Sequence, residues 1–258
     1  NNVTQNGGNA VLQVSNVQIE AKSSATPFVN GTRAQNTGLY DLSVGDNHGT
    51  LTNGPTFNSN GWIEFDGTND EIIVPGVGIT DYSQPFSMGT WFKVPEAAQW
   101  DNGYRSNIYG IAGSYAGMYG LFKDSGDRLG IQLRDANSTL YAYANTNLKG
   151  VWYYLIGTWD GSILKIYRNG VLQSTNNSGG MTGAPDSQQM RLGSRRAFGG
   201  AYGNYYQGDI AKCEYYNKEM SADEVAQNYY KAPIVTDGLV FAVDAGNLVS
   251  YENDSTTA

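Results

Sequence analysis

Residues 151–175, VWYYLIGTWDGSILKIYRNGVLQST, decide the fold. Two runs rich in β-branched and aromatic residues, Ile163–Arg168 and Val171–Thr175, flank Asn169-Gly170. Asn-Gly is the favoured pair for a two-residue type I′ turn, because both central positions need positive φ. The segment is a β-hairpin, and the aromatic run 151–160 before it is a further strand. Outward toward the C terminus, MRLGS (190–194) and the stretch 208–216 read as two more strands. Toward the N terminus, TLYAYA (139–144), LGIQLR (129–134) and FSMGTWFKV (86–94) carry the same signal. In the last of these, Phe86, Met88, Thr90 and Phe92 share one face and Trp91 lies on the other. GWIEFDGTNDEIIV (61–74) is a second hairpin: Trp62, Glu64 and Asp66 face opposite to Ile63 and Phe65, and Asp66-Gly67-Thr68-Asn69 turns the chain. Leu12, Val14, Val17 and Ile19 alternate around a break at Ser15-Asn16, which reads as one bulged strand near the N terminus. SADEVAQNYY (221–230) is the one helical pattern, with Ser221 and Glu224 as a capping box and Val225 one turn from Tyr229. A lone short helix after a run of strands acts as a lid over a sheet edge or core end. The sum is an all-β chain of many short strands with one short helix.

Composition agrees. The chain has 33 glycines among 258 residues, and 19 tyrosines against 16 lysines and arginines. That describes many short strands joined by tight turns. A formal charge of −8 with no basic stripe argues against a nucleic-acid partner. No apolar run is long enough for membrane insertion. Cys213 is the sole cysteine, so no intrachain disulfide forms, and its neighbours read as a buried strand with an inert thiol. A chain opening on Asn1 reads as a fragment or processed product. Two stretches break the strand pattern: 95–120, glycine- and tyrosine-rich, and the aromatic loop Phe198–Tyr206.

The ordered segments WIEFDGTNDEIIV, FSMGTWFKV, VWYYLIGTWDGSILKIYRNGVLQST, MRLGS and YQGDIAKCEYYNKEMSADEVAQNYY resemble the laminin-G-like, concanavalin A-like lectin/glucanase jelly-roll family. The resemblance covers 38–231 and implies an all-β, two-sheet antiparallel jelly-roll β-sandwich over 37–231, with one short C-terminal helix. The flanks carry a second likeness. LQVSNVQIEAKSSATPFVNGTR (12–33) resembles the close of carbohydrate-binding-like jelly rolls in phage tail and virion proteins. DGLVFAVDAGNLVSYENDSTTA (237–258) resembles the opening of a further laminin-G-like domain, and partly echoes Gly38–Asp41. These likenesses imply an upstream domain end or packed linker at 1–36 and a linker with the start of another domain at 232–258. The implied setting is a bacteriophage virion, on a tail or surface fibre, with other virion subunits or neighbouring domains as partners and host glycan as a further contact. The alternative is a secreted or cell-surface, calcium-dependent lectin-like domain.

No catalytic apparatus is recognisable. Glycanases of similar fold carry two glutamates flanking an aspartate along one strand. Here Glu64 and Asp66 supply only one alternating carboxylate pair, which reads as a solvated strand face. The sole histidine, His48, lies in the turn-rich Asp46–Gly49, and no serine elbow occurs. Zinc would need more histidine and cysteine than the chain has. Calcium takes oxygen ligands, and the candidates are Asp66, Asn69 and Asp70 in one turn, then Asp41 with Asp46, and Asp160 and Asp209. The competing reading is that turns use Asp and Asn for backbone capping. For a glycan, the requirement is exposed aromatic faces beside polar groups. Trp100, Tyr104, Arg105, Tyr109 and Tyr115 in one loop, with Arg195, Arg196, Tyr202, Tyr205 and Tyr206 in and beside the other, supply that chemistry. The same residues suit a contact with a neighbouring subunit, or plain loop packing. Trp62, Trp91, Trp152 and Trp159 sit in strand patterns and read as core or sheet-packing residues.

Overall fold

A computed structural model of the chain describes residues 38–96, 106–111, 117–124, 128–144, 149–185, 189–196, 202–230 and 234–245. The strand expected at 11–21 and the flank 1–36 lie outside the described residues, as do 246–258.

Two antiparallel sheets face each other. The first runs in the order β1 (Gly38–Leu39), β2 (Gly49–Thr52), β5 (Glu71–Val74), β14 (Met190–Leu192), β7 (Ser106–Ile111), β8 (Met118–Lys123), β9 (Leu129–Arg134), β10 (Thr139–Ala144). The second runs β13 (Val171–Asn176), β12 (Leu164–Arg168), β11 (Trp152–Trp159), β6 (Phe86–Lys93), β17 (Gln207–Tyr216), β4 (Trp62–Asp66), β3 (Thr56–Asn58). A short ladder joins β15 (Arg195–Arg196) to β16 (Tyr202–Gly203). Strand β18 (Leu239–Asp244), in the segment whose sequence resembles the opening of a further domain, is paired with the second half of β17. The expected jelly-roll sandwich is what the chain forms.

The turn at Asn169-Gly170 has φ of 51° and 79°, as the two-residue hairpin requires. Alternation then settles which face each strand buries. Phe86, Met88 and Phe92 of β6, Leu155 and Trp159 of β11, and Ile210, Cys213 and Tyr215 of β17 meet Ile72, Tyr109, Tyr119, Leu121 and Ile131 of the opposing sheet. Each fully buried large apolar side chain contributes about 1.5–3 kcal/mol. The Cys213 thiol is wholly buried and burial pushes its pKa up to about 12, so it is chemically inert.

Strands β7 and β8 lie where the sequence reads as an irregular loop. The reason is local. Gly110 and Gly120 sit opposite each other in the ladder, and a Cβ on Gly110 would fall 2.7 Å from the Gly120 Cα. The glycines permit close strand approach rather than marking turns. The tyrosines next to them, Tyr109 and Tyr119, are core. Tyr109 donates to the Glu214 carbonyl at 3.0 Å, and Tyr119 and Tyr215 share a hydroxyl hydrogen bond of 2.8 Å. Burial drives the Tyr109 and Tyr119 pKa values far above the phenol range, so both hydroxyls stay neutral.

The outer strands of the two sheets are tied by side chains. Ser174 of β13 accepts from the Tyr143 N–H and donates to the Tyr143 carbonyl, both at 2.9 Å, and Asn176 donates to the Tyr141 carbonyl. These bonds occupy main-chain groups of β10 that an open edge would leave unpaired.

Asp135 fastens the turn after β9 to the segment at Thr182. Its Oδ1 accepts from the Asn137 and Ser138 N–H groups at 2.8 and 2.6 Å, and its Oδ2 accepts from the Thr182 N–H at 3.0 Å. Burial alone would raise its pKa, yet these donors hold it at about 2. An unfolded aspartate titrates near ~3.9. The folded value is depressed, so this stabilisation is present above about pH 4 and is lost as pH falls toward about 2. Asp135→Asn is expected to cost about 1–2 kcal/mol at neutral pH, with a gap to wild type that narrows in acid. Thermal unfolding of both proteins at the two pH values measures this, and identical melting at neutral pH would contradict it.

Candidate functional site

The outward face of the second sheet is built from cross-strand rows. In the first row Trp152 of β11 lies opposite Lys93 of β6, Lys93 opposite Asp209 of β17, Asp209 opposite Glu64 of β4, and Glu64 opposite Thr56 of β3. In the second row Tyr154 lies opposite Trp91, Trp91 opposite Lys212, and Lys212 opposite Asp244 of β18. In the third, Ile156, Gly89, Glu214 and Ala242 follow one another. A bulge between Ile210 and Lys212 separates the first two rows on β17. Strand β4 pairs with β17 before the bulge and β18 pairs with it after.

Helix α1 (Ala222–Tyr229) covers one half of this face. Ser221 and Glu224 form the expected capping box, and Val225 with Met220 joins Tyr154, Ile156, Tyr167 and Tyr216 in an apolar layer. Beneath the helix lies a polar knot. Glu214 is fully buried and is ion-paired with Lys212. Its Oε2 accepts from the Tyr154 hydroxyl at 2.8 Å and from Asn228 Nδ2 at 3.1 Å. Asn228 also donates to the Tyr216 hydroxyl at 2.8 Å and accepts from the Val235 N–H at 3.0 Å. Burial first, then the Glu214 charge, pushes the Tyr154 phenol well above its usual range, so it remains a donor to that carboxylate.

The other half of the face is open, and there the chain forms a groove of about 560 Å³. Trp62, Trp91 and Trp152 line it, with Asn60, Lys212, Asn228 and Asp244. Trp62 and Trp152 meet edge to face at 5.6 Å, and Lys93 Nζ stands 5.0 and 5.1 Å from their ring centres. Asp209 holds that ammonium at 2.8 Å. Glu64 Oε1 accepts from Trp62 Nε1 at 3.2 Å and from Asn58 Nδ2 at 2.7 Å, which fixes the indole edge. Trp91 stacks on Tyr229 of the helix at 5.7 Å. Three indoles held by ring contacts, a paired lysine and, for Trp62, a hydrogen bond form an amphipathic surface beside amide and carboxylate groups, suited to a flat, polyhydroxylated or aromatic ligand.

At the far end of β4 a second depression of about 490 Å³ is lined by Asn53, Thr56, Glu64, Asp66, Gln207 and Asp209, among others. Burial pushes the Asp209 carboxyl above its usual range; Lys93 opposes that shift and Glu64 reinforces it.

The candidates from sequence divide sharply. Tyr109 and Tyr206 are core residues, not loop-borne ligand contacts; Tyr206 is fully buried and donates to the Lys93 carbonyl at 2.9 Å. A phenol so buried places its hydroxyl on a main-chain acceptor, leaving no face for a ligand. Arg195 and Arg196 pair with Gly203 and Tyr202 through β15 and β16, and Tyr205 is half-buried. Trp100, Tyr104, Arg105 and Tyr115 lie outside the described residues. Trp159 is core as expected, whereas Trp62, Trp91 and Trp152 are half-buried groove residues. The sequence carried that signal: Trp62 shares its face with Glu64 and Asp66, and Trp152 is an odd number of residues from core Trp159.

The carboxylates proposed for calcium serve the backbone. Asp66 Oδ1 accepts from the Thr68 N–H at 2.7 Å, Asp70 Oδ2 accepts from the Asp66 N–H at 2.9 Å, and the Asn69 carbonyl accepts from Asn53. Burial raises the Asp70 pKa, and the Asp66 charge adds to that shift. Asp41 accepts from the N–H groups of Ser43, Asn47 and Ala242, and Asp160 from those of Ser162 and Ile163. Among the described residues no three His, Cys, Asp or Glu side chains converge on a metal position.

With the two sheets, the helix-covered half and the open groove in place, the fold class is that of a concanavalin A-like sandwich. Residues 66–226 match the Laminin_G_3 family, and the chain belongs to the concanavalin A-like lectin/glucanases superfamily. No curated protein matches the chain by sequence. Among solved structures it is similar to the ligand-binding domain of Botulinum neurotoxin serotype D, solved in complex with N-acetylneuraminic acid. That likeness has a TM-score of 0.58 at 13% identity, over 76% of this chain and 50% of that one. It is similar also to the binding domain of Botulinum neurotoxin serotype G, with a TM-score of 0.55 at 16% identity, over 74% and 48%. A third is the heptameric SAP-like pentraxin from Limulus polyphemus, with a TM-score of 0.52 at 15% identity, over 71% and 90%. The chain thus spans about half the length of the neurotoxin domains and most of the pentraxin.

Asn228 joins helix to sheet, so Asn228→Ala is expected to cost about 1–3 kcal/mol by stranding the Val235 N–H and removing one donor to buried Glu214. Thermal melting together with near-ultraviolet circular dichroism from the Trp91–Tyr229 stack reads the loss. An unchanged melting temperature would refute the helix anchor.

Proposed function

We propose that this chain is a non-catalytic carbohydrate-binding module whose ligand lies in the groove between α1 and β4. The observation that carries the reading is the set of three half-buried indoles, Trp62, Trp91 and Trp152, on one sheet face beside Asn60 and Asp244. Pyranose rings have apolar faces that stack on aromatic rings and hydroxyl rims that need such polar partners. Membership of a lectin/glucanase superfamily supports it. So does the similarity of the fold to that of a neurotoxin ligand-binding domain.

Binding rather than hydrolysis is favoured by how the nearest carboxylates are engaged. Glu64 and Asp209 oppose each other across β4 and β17, but Glu64 orients Trp62 and Asp209 neutralises Lys93. A virion surface as the location, with other virion subunits as partners, is the part of the proposal supported by the flanking sequences 12–33 and 237–258.

A glycan array followed by titration calorimetry tests the reading. Trp62→Ala and Trp152→Ala are each expected to weaken the leading glycan about tenfold or more, with no new reducing ends from the wild type. Full affinity in both variants would refute the groove as the binding site.

A further inference from the structure

The charge arrangement along β4 narrows the ligand class, and this step rests on the groove being a glycan site. Trp62, Glu64 and Asp66 point outward from one strand, so their row runs about 13 Å from the aromatic groove to the second depression. That length holds more than one sugar ring. The lysines facing the row are both committed: Lys93 to Asp209 at 2.8 Å, and Lys212 to buried Glu214. Glu64 and Asp66 are exposed, and Asp244 lines the groove, so carboxylates outnumber ammonium groups among the described residues of this surface.

We infer that the groove takes an uncharged oligosaccharide laid along β4 and discriminates against acidic sugars such as uronic and sialic acids. A ligand carboxylate would meet Glu64 or Asp66, and among the described residues the two lysines of this face, Lys93 and Lys212, are already paired; the repulsion acts at short range where salt screens it least. Neutral pyranose hydroxyls instead donate to those same carboxylates and to the Asn53 and Gln207 amides. Specificity of this kind comes from a repulsive element added to an attractive one.

The test uses the intact chain, with neutral oligosaccharides from glucan, mannan and galactan against galacturonate and sialyl oligosaccharides of equal length. Calorimetry is run at about 50 and about 500 mM NaCl. The expected result is a neutral ligand bound with little salt dependence and lost in Trp62→Ala, acidic ligands being about tenfold or more weaker. Glu64→Gln with Asp66→Asn, which keeps an acceptor for the Trp62 indole, is expected to narrow that gap. Thermal melting of each variant separates a binding effect from misfolding. An acidic ligand bound more tightly, weakened by salt and lost in Trp62→Ala, would overturn this inference and leave the groove reading standing. Binding that ignores Trp62→Ala for every ligand would overturn both.

Discussion

The pairing of β17 with β6 organises the molecule. Seven residues of β17 lie opposite β6, and the bulge between Ile210 and Lys212 falls within that ladder. On the inward side the two strands place Ile210, Cys213 and Tyr215 against Phe86, Met88 and Phe92, at the middle of the core. On the outward side the same ladder sets Lys93 beside Asp209, Trp91 beside Lys212 and Gly89 beside Glu214. A one-residue slip would exchange these faces, burying charges and exposing aromatics. The free edge of β17 is then divided at the bulge, with β4 before it and β18 after it, and the groove opens at their junction.

The outward face shows how one sheet can be both packed and open. Around Glu214, satisfying a buried carboxylate requires Lys212, Tyr154 and Asn228, which ties the helix down and seals the apolar layer under it. Removing one partner from such a knot costs more than the bond it made, because the remaining charge stays buried. Around Lys93 the ion pair is partly exposed and contributes little to stability. Its effect is geometric: it holds an ammonium over Trp62 and Trp152 and keeps the indoles in place.

Much of the fold was legible because its signals are local. The Asn169-Gly170 turn, the Ser221–Glu224 capping box and the alternation in β4 and β6 each follow from a few adjacent residues. The strands β7 and β8 were not legible. Their glycines are required by a cross-strand approach, and their tyrosines find hydroxyl partners on the other sheet, neither of which sequence neighbours display. The site was half legible in the same sense. Trp62 could be placed on a polar face from alternation, but the meeting of Trp62, Trp91 and Trp152 depends on strand order, which brings β4, β17, β6 and β11 together from distant parts of the chain. Turn aspartates misled in the opposite direction, since capping a loop and coordinating an ion draw on the same residues.

The five tryptophans offer the most direct test of a ligand in the groove. Nitrogen-15 indole NMR resolves one signal for each, assigned by single substitution, and a titration with the leading oligosaccharide follows all of them at once. The account predicts saturable shifts for Trp62, Trp91 and Trp152, with core Trp159 unmoved. Shifts confined to Trp100, with the three groove indoles unchanged, would contradict it.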